Sequence, residues 1–365
     1  MADIYGGGML PPQIRSSVCQ NVNGLDIHYL ETGFETRTRP LIILLHGFPE
    51  LCFSWRKIML PLSDSGYHVV APDQRGFGAT ARADRSYSAD LSTYFHTNLV
   101  TDILGLVSSL GYTKVKSVIG HDSGAGVAGW SALMRPDIYE SVVMMSAPFT
   151  GPPSITLDTA DTPTAAEGKE INIDAELALL ERPRKHYQHY YQTPAANSDI
   201  MDSKDGLSSF LRAYYHHKSA DWKENTPFPL SSWTATELAQ MPTYYIMDLD
   251  DTMPEAVAKY MPTCQEIQSC EWLTDPELQV YVSEYGRTGF QGGLNWYRSA
   301  ASIINRQQLE LFTGMKINVP AMFISGRQDW GTYQRPGAVE RMKNDVCTNM
   351  DEIQLVDNAG HWVQQ

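Results

Sequence analysis

Four short apolar runs set the frame of this chain. Leu41–Leu45 (LIILL) ends in His46-Gly47, residues 67–71 (YHVVA) in Pro72-Asp73, residues 115–119 (VKSVI) in Gly120, and residues 141–145 (SVVMM) in Ser146-Ala147-Pro148. Runs this short and this apolar fit strands buried on both faces, and each stops where the chain can turn. Between them, residues 91–110 carry apolar side chains near helical spacing up to Gly111, and residues 124–134 form a second helical stretch directly after the third run. Strands alternating with helices predict an α/β fold, a mostly parallel central sheet flanked by helices, with its ligand site at the carboxyl ends of the strands.

After Phe149 the character changes. Residues 151–170 are rich in Pro, Thr, Asp and Gly and predict a long exposed connection. Helix-like, aromatic segments follow to about residue 312 (RKHYQHYYQ, FLRAYYHH, MPTYYIM, LNWYR), and strand patterns return at residues 319–325 (VPAMFIS) and 352–356 (EIQLV). The expected organisation is a core in two parts, residues 1–149 and 313–365, interrupted by a helical lid over residues 150–312 that covers the strand ends. No internal repeat is found. The chain stops four residues after His361, short of a closing helix, so the native protein is expected to have room to continue past Gln365.

Composition excludes several classes of partner. A formal net charge of -14 with no basic run argues against nucleic acid and anionic membranes. Nowhere do about 18 consecutive apolar residues occur, so no membrane span is expected. Five scattered cysteines without a C-x-x-C pair suggest neither a disulfide framework nor a zinc site. With no secretion signal at the N-terminus, a cytoplasmic protein is expected, and its oligomeric state is left open.

The stretch GHDSGAG, residues 120–126, follows the third strand and opens a helix. A nucleophile on such a sharp turn needs small residues two before and two after it, because larger side chains would clash. Centred on Asp122 the flanks are Gly120 and Gly124; centred on Ser123 they are His121 and Ala125. The carboxylate is therefore in register, and Ser123 contributes its backbone N–H to an oxyanion hole. An aspartate nucleophile suits a saturated carbon bearing a leaving group, where attack gives an alkyl ester that water can cleave. Epoxides and alkyl halides qualify. An acid and a base follow in the order this fold uses: Asp329 (SGRQDWG) to orient a histidine, and His361 (NAGHWV) to activate water. His121 is read as a support of the turn, and His28, His68, His96, His216 and His217 as structural. No cluster has metal-ligand spacing, and the chemistry needs no cofactor.

These residues resemble the α/β-hydrolase-fold epoxide hydrolases over nearly the whole chain. HGFPE (46–50) is similar to the family's HGxP motif, which implies that the Phe48 N–H joins Ser123 in the oxyanion hole; SWRK (54–57) and DQRGFG (73–78) match as well. TGFQGGLNWYR (288–298) resembles the second-tyrosine motif and implies Tyr297 as a ring-opening acid. HYQHYYQTP (186–194) resembles the first-tyrosine segment, with Tyr187 the first candidate and Tyr190 or Tyr191 as fallbacks. The same likeness implies His46, Pro49, Trp296 and Trp362 as pocket residues. Two phenols can donate to the epoxide oxygen as its C–O bond breaks, which a departing halide does not need. One position departs from the family: Ser123 stands where tryptophan is usual, which keeps the backbone donor but removes a ring from the pocket floor. The implied activity is hydrolysis of a small-molecule apolar epoxide to a vicinal diol through an Asp122 ester, and the lid methionines (Met241, Met247, Met253, Met261) suggest a bulky one. A haloalkane dehalogenase-like hydrolase, or a lid-gated binding or biosynthetic protein that does not hydrolyse, are the alternatives on the same fold.

Overall fold

The computed structural model describes residue 5 and residues 8–36, 38–155 and 172–365. Most of the segment expected as an exposed connection, residues 156–170, lies outside the described residues. The strands in chain order are β1 (Arg15–Val22), β2 (Leu25–Thr32), β3 (Leu41–Leu45), β4 (His68–Pro72), β5 (Ser117–His121), β6 (Val142–Met145), β7 (Arg184–His186), β8 (Ile246–Asp248), β9 (Ala321–Gly326) and β10 (Gln354–Val356). Eight of them form one sheet in the order β1-β2-β4-β3-β5-β6-β9-β10. From β4 to β10 every pairing is parallel, whereas β1–β2 and β2–β4 are antiparallel.

The apolar runs form the middle of this sheet because they are covered on both faces: all five residues of β3 and all five of β4 are buried. Helices α1 (Arg56–Asp64), α2 (His96–Ser109) and α3 (Ser123–Met134) follow β3, β4 and β5. The β1–β2 hairpin has no continuous apolar run, since β1 is largely exposed or half-exposed. Its signal is the Asn23-Gly24 pair, both at positive φ (48° and 79°), the turn that a tight hairpin with right-handed twist requires.

The chain leaves the sheet after β6 and returns at β9, and the described part of the excursion is mostly helical. Two pieces of it differ from the helical expectation: the RKH of RKHYQHYYQ is β7, which pairs antiparallel with β8, formed by Ile246–Asp248. Strands of three residues are too short to show an alternating pattern. Met241, Met247 and Met253 are buried within this layer and Met261 is on its surface, so the lid methionines serve packing rather than lining the cavity beside Asp122.

Hydrogen bonds from the lid's aromatic side chains fasten it to the loops after β3 and β4. Tyr215 Oη donates to Pro49 O (2.6 Å), Tyr285 Oη to Glu50 O (3.0 Å) and Trp296 Nε1 to Arg75 O (2.9 Å), while Tyr281 shares a hydrogen bond with Ser54 Oγ (2.8 Å). Each satisfies a polar atom at a buried junction, where an unpaired one would be costly. The SWRK segment takes part through Arg56, paired with Glu277 at 2.8 Å, and the DQRGFG loop through Arg75, held bidentately by Asp102 at 2.7 and 2.8 Å. Among the described residues, no helix is long and apolar enough to cross a membrane.

The helix Gln291–Ala300 seats against that loop through Gly292, where a Cβ atom would lie 2.0 Å from the carbonyl oxygen of Gly76. Backbone blocks it on the far side, so no rotamer change can relieve the clash. Gly292→Ala is expected to lift this helix from the loop and cost at least ~2 kcal/mol, measurable as a lower urea midpoint by tryptophan fluorescence. Unchanged stability would show that the two backbones do not pack this closely.

Candidate active site

Between β5 and α3 the chain reverses within one residue. Asp122 has φ 51° and ψ -121°, a conformation that non-glycine residues rarely adopt. Its N–H donates to Met145 O at 3.1 Å, tying the turn to the end of β6. The requirement for small flanking residues has a direct steric cause: a Cβ on Gly120 would lie 2.1 Å from Gly124 O, and one on Gly124 would lie 2.3 Å from Leu45 O. The turn stands Asp122 at the N-terminus of α3, where the helix dipole favours an anion. The Phe48 N–H donates to Asp122 Oδ1 at 3.1 Å. Ser123 is the first residue of α3, and its buried Oγ has no hydrogen-bond partner among the described residues.

His361 bridges two carboxylates. Its Nδ1 lies 3.1 Å from Asp329 Oδ1, and its Nε2 lies 3.6 Å from Asp122 Oδ2 with no hydrogen bond to any described residue. Asp329, in the loop after β9, also accepts from Gly331 N–H (2.7 Å), Ser146 Oγ (2.5 Å) and Ser325 Oγ (3.1 Å). Burial opposes its charge, but His361 and these donors outweigh burial and hold its carboxyl down at about 2. For His361, burial and then the Lys218 cation push the imidazole below its ordinary value of 6.5, against the pull of Asp329. The ring is therefore neutral near pH 7 and able to accept a proton.

A second histidine–carboxylate pair lies behind the first. His121 Nδ1 meets Glu50 Oε2 at 2.6 Å, and His121 Nε2 meets His361 O at 2.7 Å. Burial alone would raise Glu50, but His121 brings it to about 2; burial would lower His121, but Glu50 raises it. This ion pair is enclosed, accepts Gly47 N–H at 2.8 Å through Glu50, and fixes the backbone that carries His361.

Tyrosines roof the nucleophile. Tyr187 and Tyr297 have ring centroids 6.0 Å apart, and Tyr297 packs edge-on against Phe48 at 5.5 Å. Burial and then the Asp122 charge drive the Tyr187 hydroxyl well above 10; burial, then Tyr187 and Asp122, do the same for Tyr297. Both stay phenols with a proton to give. Tyr190 turns its hydroxyl to Asp199 at 2.9 Å, and the Tyr191 hydroxyl is buried without a hydrogen bond to a described residue. Burial is the largest cause for all three candidates in this segment, and Tyr187 is the one on which the Asp122 charge acts as well.

A cavity of about 650 Å³ opens beside Asp122 and Ser123, and Trp296 and Tyr297 line it. The other expected pocket residues do different work. His46 is fully buried, accepts Gln74 N–H at Nε2 (3.1 Å) and packs against Phe77; Pro49 offers its carbonyl to Tyr215; Trp362 lies behind His361, its ring 4.6 Å away and its indole N–H on Tyr215 O. His96, read as structural, lines the cavity. Ser146 and Lys218 carried no motif. Ser146 sits at φ 69° just past β6, with its Oγ between Asp329 and His361 Nδ1 (2.8 Å). Lys218, at the end of the lid helix Gly206–His217, is buried, its ammonium 4.8 Å from the Tyr245 ring and its carbonyl accepting His361 N–H at 3.0 Å. Among the described residues His28, Cys52 and Asp73 form a buried cluster of ligand type, yet Asp73 is already engaged by Tyr5, His28, and the Cys52 and Ala79 N–H groups. It is a hydrogen-bonded knot holding the DQRGFG turn.

Comparison with known proteins agrees with this geometry. Residues 40–364 match the alpha/beta hydrolase fold family. Epoxide hydrolase B of Mycobacterium tuberculosis is 30% identical over 359 residues, covering 94% of this chain and 92% of the relative. The chain belongs to the α/β-hydrolase-fold epoxide hydrolases. Epoxide hydrolase 3 of Siraitia grosvenorii is 29% identical, with 94% and 92% covered. The crystal structure of epoxide hydrolase A from Mycobacterium thermoresistibile superposes with a TM-score of 0.70 at 31% identity, covering 96% of this chain and 93% of that one. In this epoxide hydrolase family member Asp122, His361 and Asp329 stand beyond the ends of β5, β10 and β9.

The charge on Lys218 has a measurable consequence. Only neutral His361 can take a proton from water, so the hydrolytic step is lost as pH falls through the imidazole's value. Lys218→Met removes a nearby cation and raises that value, moving the acid limb of the pH–rate profile upward by on the order of one unit. A limb that stays in place, or moves to lower pH, would show that the ammonium does not act on the imidazole.

Proposed function

We propose that this protein hydrolyses small apolar epoxides to vicinal diols through a covalent ester on Asp122. The observation that carries the reading is the alignment of His361 Nε2, 3.6 Å from Asp122 Oδ2, beneath two protonated tyrosines. In the first step an Asp122 oxygen attacks one ring carbon and the C–O bond of the epoxide breaks. Tyr187 and Tyr297 donate to the departing oxygen, so that a hydroxyl rather than a free alkoxide forms. In the second step His361 takes a proton from water, and the hydroxide adds to the ester carbonyl of Asp122. The Phe48 and Ser123 N–H groups hold the resulting oxyanion. Collapse breaks the bond to the alkyl oxygen, which takes up the proton of the acid formed on Asp122 and leaves as the diol; the proton held by His361 passes back to the tyrosinate, restoring the carboxylate, the neutral imidazole and the phenol.

Asp329 keeps Nδ1 of His361 protonated and so presents Nε2 as the base. Residues 150–312 act as the lid, excluding bulk water from the ester until His361 activates one molecule. Four lid hydrogen bonds to the core loops make that cover a fixed roof. Five cysteines without a disulfide suit a reducing compartment, which supports a cytoplasmic enzyme.

The test separates the two steps. His361→Gln is expected to alkylate and stall: intact mass rises by one epoxide, and turnover falls on the order of 10³-fold. Asp122→Ala should show neither adduct nor diol. A His361→Gln protein that stays at its unmodified mass, while the unaltered enzyme makes diol, would exclude the ester route.

A further inference from the structure

The helix that begins at the nucleophile also forms the cavity floor. Ser123, Gly126 and Trp130 lie on one face of α3, at spacings of three and four residues, and all three line the cavity. Glycine within a helix costs about 1 kcal/mol relative to alanine, so each one here calls for a reason. Two have a steric one: a Cβ on Gly124 would strike Leu45 O at 2.3 Å, and one on Gly129 would strike the Phe149 ring at 2.6 Å. Gly126 has none. A Cβ there would meet no atom within 4 Å, and its φ is not in the left-handed region. Among the described residues nothing forbids a side chain at this position, which faces the cavity.

Beyond Gly126 that space is walled by flat and apolar groups. The Trp130 indole meets the Phe149 ring edge-to-face at 5.2 Å, and buried Leu309 stands across from them. From Ser123 to Trp130 the floor runs about 10 Å along the helix, long enough for a ring. Its end is polar without charge: His96 Nδ1 pairs with Asn305 Nδ2 at 3.1 Å, and burial pushes the imidazole down to about 4. Arg306, Arg335 and Arg341 also line the cavity, so it does not exclude charge as a whole; what the stretch beside Gly126 offers is the flat apolar wall of Trp130 and Phe149.

We infer that this arm over Gly126 is a substrate subsite, and that the enzyme prefers epoxides bearing a ring-sized apolar substituent, aryl or cycloalkyl, on one ring carbon. The inference rests on the epoxide hydrolase reading and deepens it. With the three-membered ring at Asp122, the substituent lies over Ser123 and Gly126 and stacks against Trp130. Small side chains at both floor positions are what admit it, and a side chain at Gly126 would occupy the same volume.

The experiment compares 2-naphthyloxirane with 1,2-epoxyhexane as substrates of the wild-type enzyme and of Gly126→Ala, Gly126→Leu and Gly126→Phe. The wild type should favour the naphthyl substrate in kcat/KM. Leu and Phe should cut that substrate by about 10- to 100-fold while epoxyhexane changes little, since a pocket discriminates by roughly this factor when its volume is filled. Gly126→Ala should melt at or above the wild-type temperature, because it fills open space and favours the helix. A naphthyl preference that survives in both Leu and Phe variants overturns the subsite, as does a wild type without the preference. Should the larger variants fail to fold, Gly126→Ala decides: an unchanged preference together with a lower melting temperature counts against an open arm. Hydrolysis of neither oxirane by the wild type sinks the hydrolase reading itself, an outcome distinct from losing the arm alone.

Discussion

The site depends on one backbone reversal. Asp122 occupies a left-handed conformation that costs on the order of 1–3 kcal/mol, and the surroundings must fix it there. They do so from three sides. The Asp122 N–H is held by Met145 O, the glycines at 120 and 124 let β5, α3 and the end of β3 approach to contact, and Gly47 leaves room for the Asp122 side chain, whose Cβ would lie 2.4 Å from one placed on Gly47. In exchange, the carboxylate stands clear of its own strand, at a helix N-terminus and next to the Phe48 N–H. A shift of the turn by one residue would offer Ser123 instead, with His121 and Ala125 at positions where only hydrogen atoms fit.

The electrostatics follow from burial. In a dry cleft an isolated charge is unfavourable, so each ionised group must have its partners built in. Asp329 has three donors besides the imidazole, and Glu50 has His121 and the Gly47 N–H. His361 is treated differently: Lys218 and burial oppose its protonation, Asp329 favours it, and the balance leaves it neutral but ready to become a cation. That asymmetry assigns the roles. In the proposed mechanism the carboxylate already saturated with donors serves as the orienter, the unprotonated imidazole as the base, and the phenols driven upward by burial as proton donors.

Much of this was legible in sequence because the signals are local. The apolar runs marked the buried strands, and the spacing of glycines about Asp122 marked the nucleophile, since both patterns are set by neighbours within a few residues. The β1–β2 hairpin escaped because β1 is largely exposed and the buried β2 mixes polar residues among its apolar ones, and β7 and β8 because three residues carry no period. Ser146 and Asp329 are 183 residues apart and meet only once β6 and β9 pair, so nothing beside Ser146 announces the contact. Lys218 is hidden for the same reason. His46 and Pro49 show a further limit: a motif marks where the chain turns, and both residues shape the loop that delivers the Phe48 N–H without themselves reaching the cavity.

With the lid fastened by phenol and indole hydrogen bonds to loops that carry catalytic groups, shape selection cannot come cheaply from the roof. A tyrosine moved there would disturb either the docking of the lid or the donors for the epoxide oxygen. The floor is under less constraint. Along α3, Gly124 and Gly129 are fixed by contacts, but Gly126 faces open volume and can vary without breaking the fold. The same helix therefore separates two tasks by face and by atom: its N-terminus and backbone stabilise charge, while the side chains one turn onward set which substituent can lie beside the nucleophile.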